Sequence, residues 1–314
     1  MGENNTNPQI IKNLLVDYSN ITTNLLEGEL MLKKKVSLSV IRLDKIHSII
    51  SGNKLFKLNY FLEKINEQPI KKIISFGGAY SNHLVATAFA CNQKNIDCIG
   101  IVRGEKPALL SQTLIQCSTY GMQLVFISRA KYEKKDEPDF IENLKTQFGD
   151  CLIIPEGGYH YLGAKGAAEI MNFINSDSTH ICCATGTATT IAGLLMKATA
   201  HQKLIAFPVL KGMTDIENRI SFLTNNQANL DQLHIENNYH FGGYAKKTPA
   251  LIAFMNQLYQ QYQLPTDFVY TAKMMFGVFD LIENDFFKPG SKITCIHTGG
   301  LQGNVSLASN SLTF

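Results

Sequence analysis

Five short segments of the chain carry side chains suited to chemistry. In Ser51-Gly52-Asn53-Lys54-Leu55-Phe56-Lys57-Leu58 a Gly-Asn turn opens a helix, with Lys54 in its first turn. The positive end of the helix dipole disfavours an ammonium there and lowers its pKa. That is the direction a nucleophilic amine requires. Taken alone, Lys54 reads first as a surface lysine near a cap. In Ser75-Phe76-Gly77-Gly78-Ala79-Tyr80-Ser81-Asn82-His83 a strand ends on two glycines, and Ser81 or Asn82 starts a helix. Both residue types are preferred caps. The same geometry lets backbone N–H groups receive a carboxylate while the hydroxyl and the amide project from the turn.

The third segment, Ala184-Thr185-Gly186-Thr187-Ala188-Thr189-Thr190-Ile191-Ala192-Gly193, follows an apolar run and leads into a helix. Small and hydroxyl residues at a helix N-terminus suit a phosphate dianion, with exposed N–H donors and a favourable dipole. No Gly-Lys-Ser/Thr follows and the spacing is not GxGxxG, so a lone phosphate fits better than a nucleotide. A threonine-rich cap is the plainer alternative. Tyr270-Thr271-Ala272-Lys273 opens a helical run to Asn284, and His297-Thr298-Gly299-Gly300 ends the last strand. Singly, Tyr270 reads as a core aromatic, Thr298 as a turn residue and His297 as a satisfied buried histidine.

These segments need a scaffold that brings turns together. Strand and helix patterns alternate from about residue 36. Strands are predicted over 36–42, 72–76, 98–102, 124–127, 152–154, 181–184, 204–209 and 293–297. Helical spacing covers 57–65, 81–93, 111–120 and 138–147. Repeated βαβ units predict an α/β fold of mostly parallel sheets covered by helices on both faces. Ligands in such sheets sit at the carboxyl ends of the strands, which points to the turns after Phe76, Ala184 and His297. The chain has 314 residues. One core stops growing at roughly 250–300, so two lobes are expected. Only weak turn clusters, near Gly157-Gly158 and Gly242-Gly243, hint at a boundary.

With 45% hydrophobic and 18% charged residues, the composition is globular and excludes a disordered or fibrous class. The formal charge of +3 is spread out, and no basic stretch is interleaved with aromatics, so nucleic acid is not an expected partner. The densest cluster, Lys33-Lys34-Lys35, reads as a solvated turn before a strand. Seven cysteines without a CxxC pair, mostly in apolar runs, predict buried free thiols in a reducing compartment and no metal site. The polar stretch from Met1 to Gln9 and the lack of an 18-residue apolar run argue against secretion and a membrane span. Met1-Gly2 with Thr6 matches a loose myristoylation pattern, read here as accidental.

Taken in order, the five segments resemble one group. Arg42-Leu43-Asp44, Pro155-Glu156-Gly157-Gly158 and Phe241-Gly242-Gly243-Tyr244 add to the likeness. The group is the pyridoxal-phosphate enzymes of the tryptophan-synthase-β fold (fold type II), in the branch containing D-cysteine desulfhydrase and 1-aminocyclopropane-1-carboxylate deaminase. The resemblance runs from about Ser39 to Gly303. It implies two lobes, each a mostly parallel sheet flanked by helices: a large cofactor-binding domain from residues 1–56 plus 160–314, and a smaller inserted α/β domain from 57–159. It implies pyridoxal 5'-phosphate as cofactor, carried by Lys54 and contacted by Asn82, Thr298 and the phosphate loop Thr185, Gly186, Thr187, Ala188, Thr189 and Thr190. Lys54, Ser81 and Tyr270 would be catalytic. Ser81, Asn82, His83, Tyr244 and Tyr270 would bind the substrate. A cytoplasmic homodimer is also implied.

Ring-opening deaminases of the branch resemble one another in having Glu and Leu where this chain has Thr271 and Thr298; these threonines and His83 agree with the desulfhydrase-like members. A hydroxyl facing the pyridine nitrogen makes a weaker electron sink than a carboxylate, which suits a good β leaving group. Ala188 and Thr189 replace glycines of the family, and their side chains are expected to crowd the phosphate. The implied activity is α,β-elimination and deamination of a small amino acid, D-cysteine going to pyruvate, sulfide and ammonia. The alternatives are 1-aminocyclopropane-1-carboxylate deamination and a non-catalytic protein that binds pyridoxal phosphate or another phosphate ligand.

Overall fold

Two sheets organise the computed structural model, which describes residues 16–314. The polar stretch from Met1 to Gln9 and the Met1-Gly2 pattern lie outside those residues. The strands are β1 (Thr22–Leu26), β2 (Ser37–Arg42), β3 (Lys72–Gly77), β4 (Asp97–Arg103), β5 (Gln123–Ile127), β6 (Leu152–Ile154), β7 (His180–Thr185), β8 (Lys203–Pro208), β9 (Leu233–Ile235) and β10 (Lys292–His297). One sheet has six strands in the order β1-β2-β10-β7-β8-β9, the other four in the order β5-β4-β3-β6. Only β1 on β2 is antiparallel; the remaining ladders are parallel. This is the expected α/β class with two mostly parallel sheets. The inner strands β3 and β7 are buried almost throughout, as near-continuous apolar runs covered on both faces should be.

The predicted runs all appear, shifted by a residue or two at their ends except for the helix expected over 57–65, which starts four residues earlier at Asn53. Two strands were not expected. Thr22-Thr23-Asn24-Leu25-Leu26 does not alternate and is mostly exposed, and it pairs only as an edge. Leu233–Ile235 is three residues long at the other edge. The lysine cluster corrects another expectation. Lys33 and Lys34 form the last turn of a helix, Glu29–Lys34, and Lys35 caps it at φ 54°. Cations at the negative end of the dipole favour that ending.

A single apolar cluster crosses from sheet to sheet. It joins Leu55, Phe56 and Leu62 of the helix Asn53–Asn66 with Ile73 and Leu84 on one side and Ile181, Ile191 and Leu204 on the other. Three helices here touch backbone to backbone. A Cβ on Gly166, in the helix Tyr161–Ala168, would lie 1.9 Å from the carbonyl oxygen of Phe56; one on Gly193, in the helix Thr189–Lys197, would lie 2.3 Å from that of Ala164. This close stack fixes the start of the helix bearing Lys54 against the loop after β7. All seven cysteines are free and buried. Among the described residues no cluster of three or more metal-ligating side chains occurs, and no helix is long and apolar enough to cross a membrane.

Candidate active site

Lys54 stands at the seam between the two sheets. Gly52 precedes it at φ 70°, and a Cβ there would lie 1.9 Å from the carbonyl oxygen of Thr298, so only glycine lets the turn dock on the end of β10. The backbone N–H of Asn53 donates to that same oxygen at 3.3 Å. Lys54 Nζ donates to it at 3.5 Å and lies 5.7 Å from the centre of the Tyr270 ring. Burial lowers the Lys54 pKa to about 8, against the opposing pull of Asp267. Burial moves this amine toward its neutral form.

The threonine loop is joined directly to this turn. Asn53 Nδ2 donates to Thr190 Oγ1 at 2.7 Å. The hydroxyls of Thr187 and Thr189 lie 2.9 Å apart at the start of the helix Thr189–Lys197. Gly186 packs on Tyr270; a Cβ there would sit 3.2 Å from Cε1 of the ring. Thr185 is buried, its hydroxyl donating to the carbonyl of Cys183 at 3.2 Å. Ala188 places its methyl in the apolar core. Its cost is in the backbone, since it caps the helix at φ 64°, a conformation costing an L residue roughly 1–2 kcal/mol.

A second lysine, not singled out in the sequence, completes the cluster. Lys57 lies one turn after Lys54, is only 7% exposed, and donates to the carbonyl of Gly157 at 3.2 Å. Gly157 in turn abuts Thr187: a Cβ there would be 2.8 Å from Thr187 Cγ2. Lys57 thus lies beside the threonine loop. Its pKa is pushed down to about 7, first by burial and then by the charge of Lys54. The spacing Lys54/Lys57, with Phe56 and Leu58 around it, is the signal that would have revealed it.

Ser81 caps the helix Asn82–Gln93, accepting from the N–H of Leu84 at 3.2 Å. Its own proton stays available. Asn82 Oδ1 is buried without a partner among the described residues. His83 is buried as well, with neither ring nitrogen bonded, and faces Gly158 and Lys57. Burial, then Lys57 and Lys54, lowers its pKa to about 3, so the ring is neutral. Tyr270 and Tyr244 meet edge to face at 6.1 Å. Burial first, then Tyr244, raises the Tyr270 pKa well above the ordinary tyrosine range.

Asp267, also missed in the sequence, holds Tyr270 in place. It is buried and accepts from the N–H groups of Val269, Tyr270 and Thr271 at 3.0, 2.8 and 3.0 Å. The Thr271 hydroxyl donates to the same carboxylate at 2.7 Å. Thr271 therefore belongs to this cap, and a glutamate in its place would press a second carboxylate on Asp267. Thr298 is buried between β10 and the Gly52 turn. His297 is satisfied, as expected: Nε2 bonds the carbonyl of Pro265 at 2.8 Å, and Nδ1 lies 3.2 Å from Asp44, which Arg42 grips through two bonds of 2.8 and 2.6 Å.

The residues present fit pyridoxal phosphate. A primary amine of lowered pKa, a hydroxyl-lined helix start beside a second buried lysine, and an orphaned acceptor at Asn82 converge on one region. The chain matches the family described as pyridoxal-phosphate dependent enzyme over residues 33–299. It is 28% identical to the bifunctional D-cysteine desulfhydrase/1-aminocyclopropane-1-carboxylate deaminase of Arabidopsis thaliana, over 81% of this chain and 70% of that one. It is 24% identical to the D-cysteine desulfhydrase of Serratia proteamaculans, covering 80% and 82%. A crystal structure of a 1-aminocyclopropane-1-carboxylate deaminase homologue superposes with a TM-score of 0.77 at 23% identity, covering 91% and 90%.

Proposed function

The chain belongs to the pyridoxal-phosphate dependent enzymes, and from that premise we propose that it eliminates the β substituent of a small amino acid, D-cysteine foremost, releasing a keto acid and ammonia. Bound pyridoxal phosphate supplies an electron sink conjugated to the substrate Cα. The chain supplies the rest. Lys54 Nζ, neutral in part near pH 8, is the amine that holds the cofactor and, once released, the base at the substrate Cα. Thr187, Thr189 and the start of the helix Thr189–Lys197 take the phosphate, with Lys57 as its countercharge. Asn82 serves the cofactor ring, and Ser81 with the N–H groups behind it takes the substrate carboxylate. Tyr270, kept protonated by burial, donates rather than accepts a proton. Tyr270 and Tyr244 wall the cavity and limit water.

The observation that carries this reading is the joining of the Lys54 turn to the threonine loop through Asn53 and Thr190. The preference for D-cysteine rests on Thr271 and Thr298, two hydroxyl side chains where the ring-opening deaminases resemble one another in having Glu and Leu. Relatives named D-cysteine desulfhydrase support it. The test compares keto acid release from D-cysteine, L-cysteine and 1-aminocyclopropane-1-carboxylate. The expected order places D-cysteine first by roughly tenfold or more in kcat/KM, about 1.4 kcal/mol of transition-state preference. Faster turnover of the cyclopropane substrate would replace desulfhydration by ring-opening deamination. Cofactor binding without any turnover would leave a binding protein.

A further inference from the structure

One buried lysine plays no part in this chemistry. Lys273 sits in the first turn of the helix Thr271–Glu283 and is 1% exposed. Its ammonium donates to the carbonyl of His240 at 2.9 Å and to that of Gly243 at 2.7 Å. We propose that Lys273 is a latch: it clamps the segment His240–Ala245 and so positions Tyr244 against Tyr270.

The segment cannot hold itself by regular structure. Phe241, Gly242, Gly243 and Ala245 have φ of 51°, 92°, 115° and 54°. Two of these are not glycine, and each costs roughly 1–2 kcal/mol in that conformation. Its internal bonds are two tight turns, from the N–H of Gly243 to His240 at 3.0 Å and from that of Lys246 to Gly243 at 3.1 Å, and one bond from the N–H of Gly242 to Nδ1 of His240 at 2.9 Å. The turn acceptors are the same two carbonyls that Lys273 grips. Each carbonyl has a second lone pair, and the ammonium fills both. Bonds to a charged donor are the stronger kind.

The clamp also sets a spacing. Tyr270 begins the helix that carries Lys273, whereas Tyr244 lies between Gly243 and Ala245 and is 45% exposed. The ammonium thus ties an exposed aromatic to the element bearing a partly buried one. Burial lowers the Lys273 pKa to about 8 while Asp267 opposes, so Asp267, which caps the same helix, also supports the latch.

The role of Tyr244 in substrate binding rests on the proposed function; the clamp itself does not. Amide hydrogen exchange on the cofactor-loaded protein tests the clamp, and steady-state kinetics tests its use. In Lys273→Met, exchange across residues 240–246 should rise about tenfold or more, with the helix Thr271–Glu283 unchanged. KM for D-cysteine should rise roughly tenfold with kcat altered far less. Lys273→Gln, which keeps an N–H donor, should fall between the two and decides the matter should the methionine variant not fold. Unchanged exchange over 240–246 overturns the latch, and so does a rise extending through the helix, which marks a residue supporting the core at large. A wild-type chain that turns over no amino acid would defeat the proposed function and leave the exchange result standing.

Discussion

Lys54→Ala should lose the visible absorbance of lysine-bound cofactor and at least ~10⁴-fold in turnover, because one group serves both as covalent anchor and as base. The fold should survive. Lys54 is a partly open side chain whose one bond, to the carbonyl of Thr298, is 3.5 Å long, and its removal takes a desolvated charge out of the protein. Thermal unfolding of the cofactor-free variant should match or exceed that of wild type. Retained turnover, or retained visible absorbance, would contradict the assignment; the second outcome would move the anchor to Lys57.

Lys57→Met should separate affinity from stability. Losing a charge-assisted contact to the phosphate is expected to weaken cofactor binding by about 3 kcal/mol, or roughly 100-fold, read by titration of the cofactor-free protein. That same protein should become more stable near pH 6. Lys57 has its lowered pKa, about 7, only when folded, so from pH 7 up to the ordinary lysine range the unfolded chain binds more protons. Wild-type stability therefore rises with pH through this window and is lost as pH falls through 7. The methionine variant should lack that slope in so far as Lys57 causes it. Lower stability at pH 6 with unchanged affinity would make Lys57 a structural residue.

Much of this site was legible in the chain. Lys54 after Gly52-Asn53, Ser81-Asn82 after two glycines and the threonines after an apolar run are local patterns, and each fell at a strand-to-helix turn where parallel sheets place ligands. Lys57 was legible in principle, as a lysine inside Leu55-Phe56-Lys57-Leu58. It was passed over because a helix lysine reads as solvated until its face is known to be buried. Asp267 could be read only as a cap; its burial beside Tyr270 comes from packing with the end of β10. Thr271 shows the opposite fault. Its position reads as one that separates the two branches, yet its hydroxyl is taken up by the carboxylate of Asp267. The edge strands β1 and β9 escaped because short or exposed strands need no alternating pattern.

The most direct test of the central claim is to load the protein with pyridoxal phosphate, reduce it with borohydride and locate the labelled lysine by peptide mass spectrometry. The account predicts a single label, on Lys54, and none in Lys54→Ala. Label on Lys57 or Lys273, or label spread over surface lysines, would contradict it.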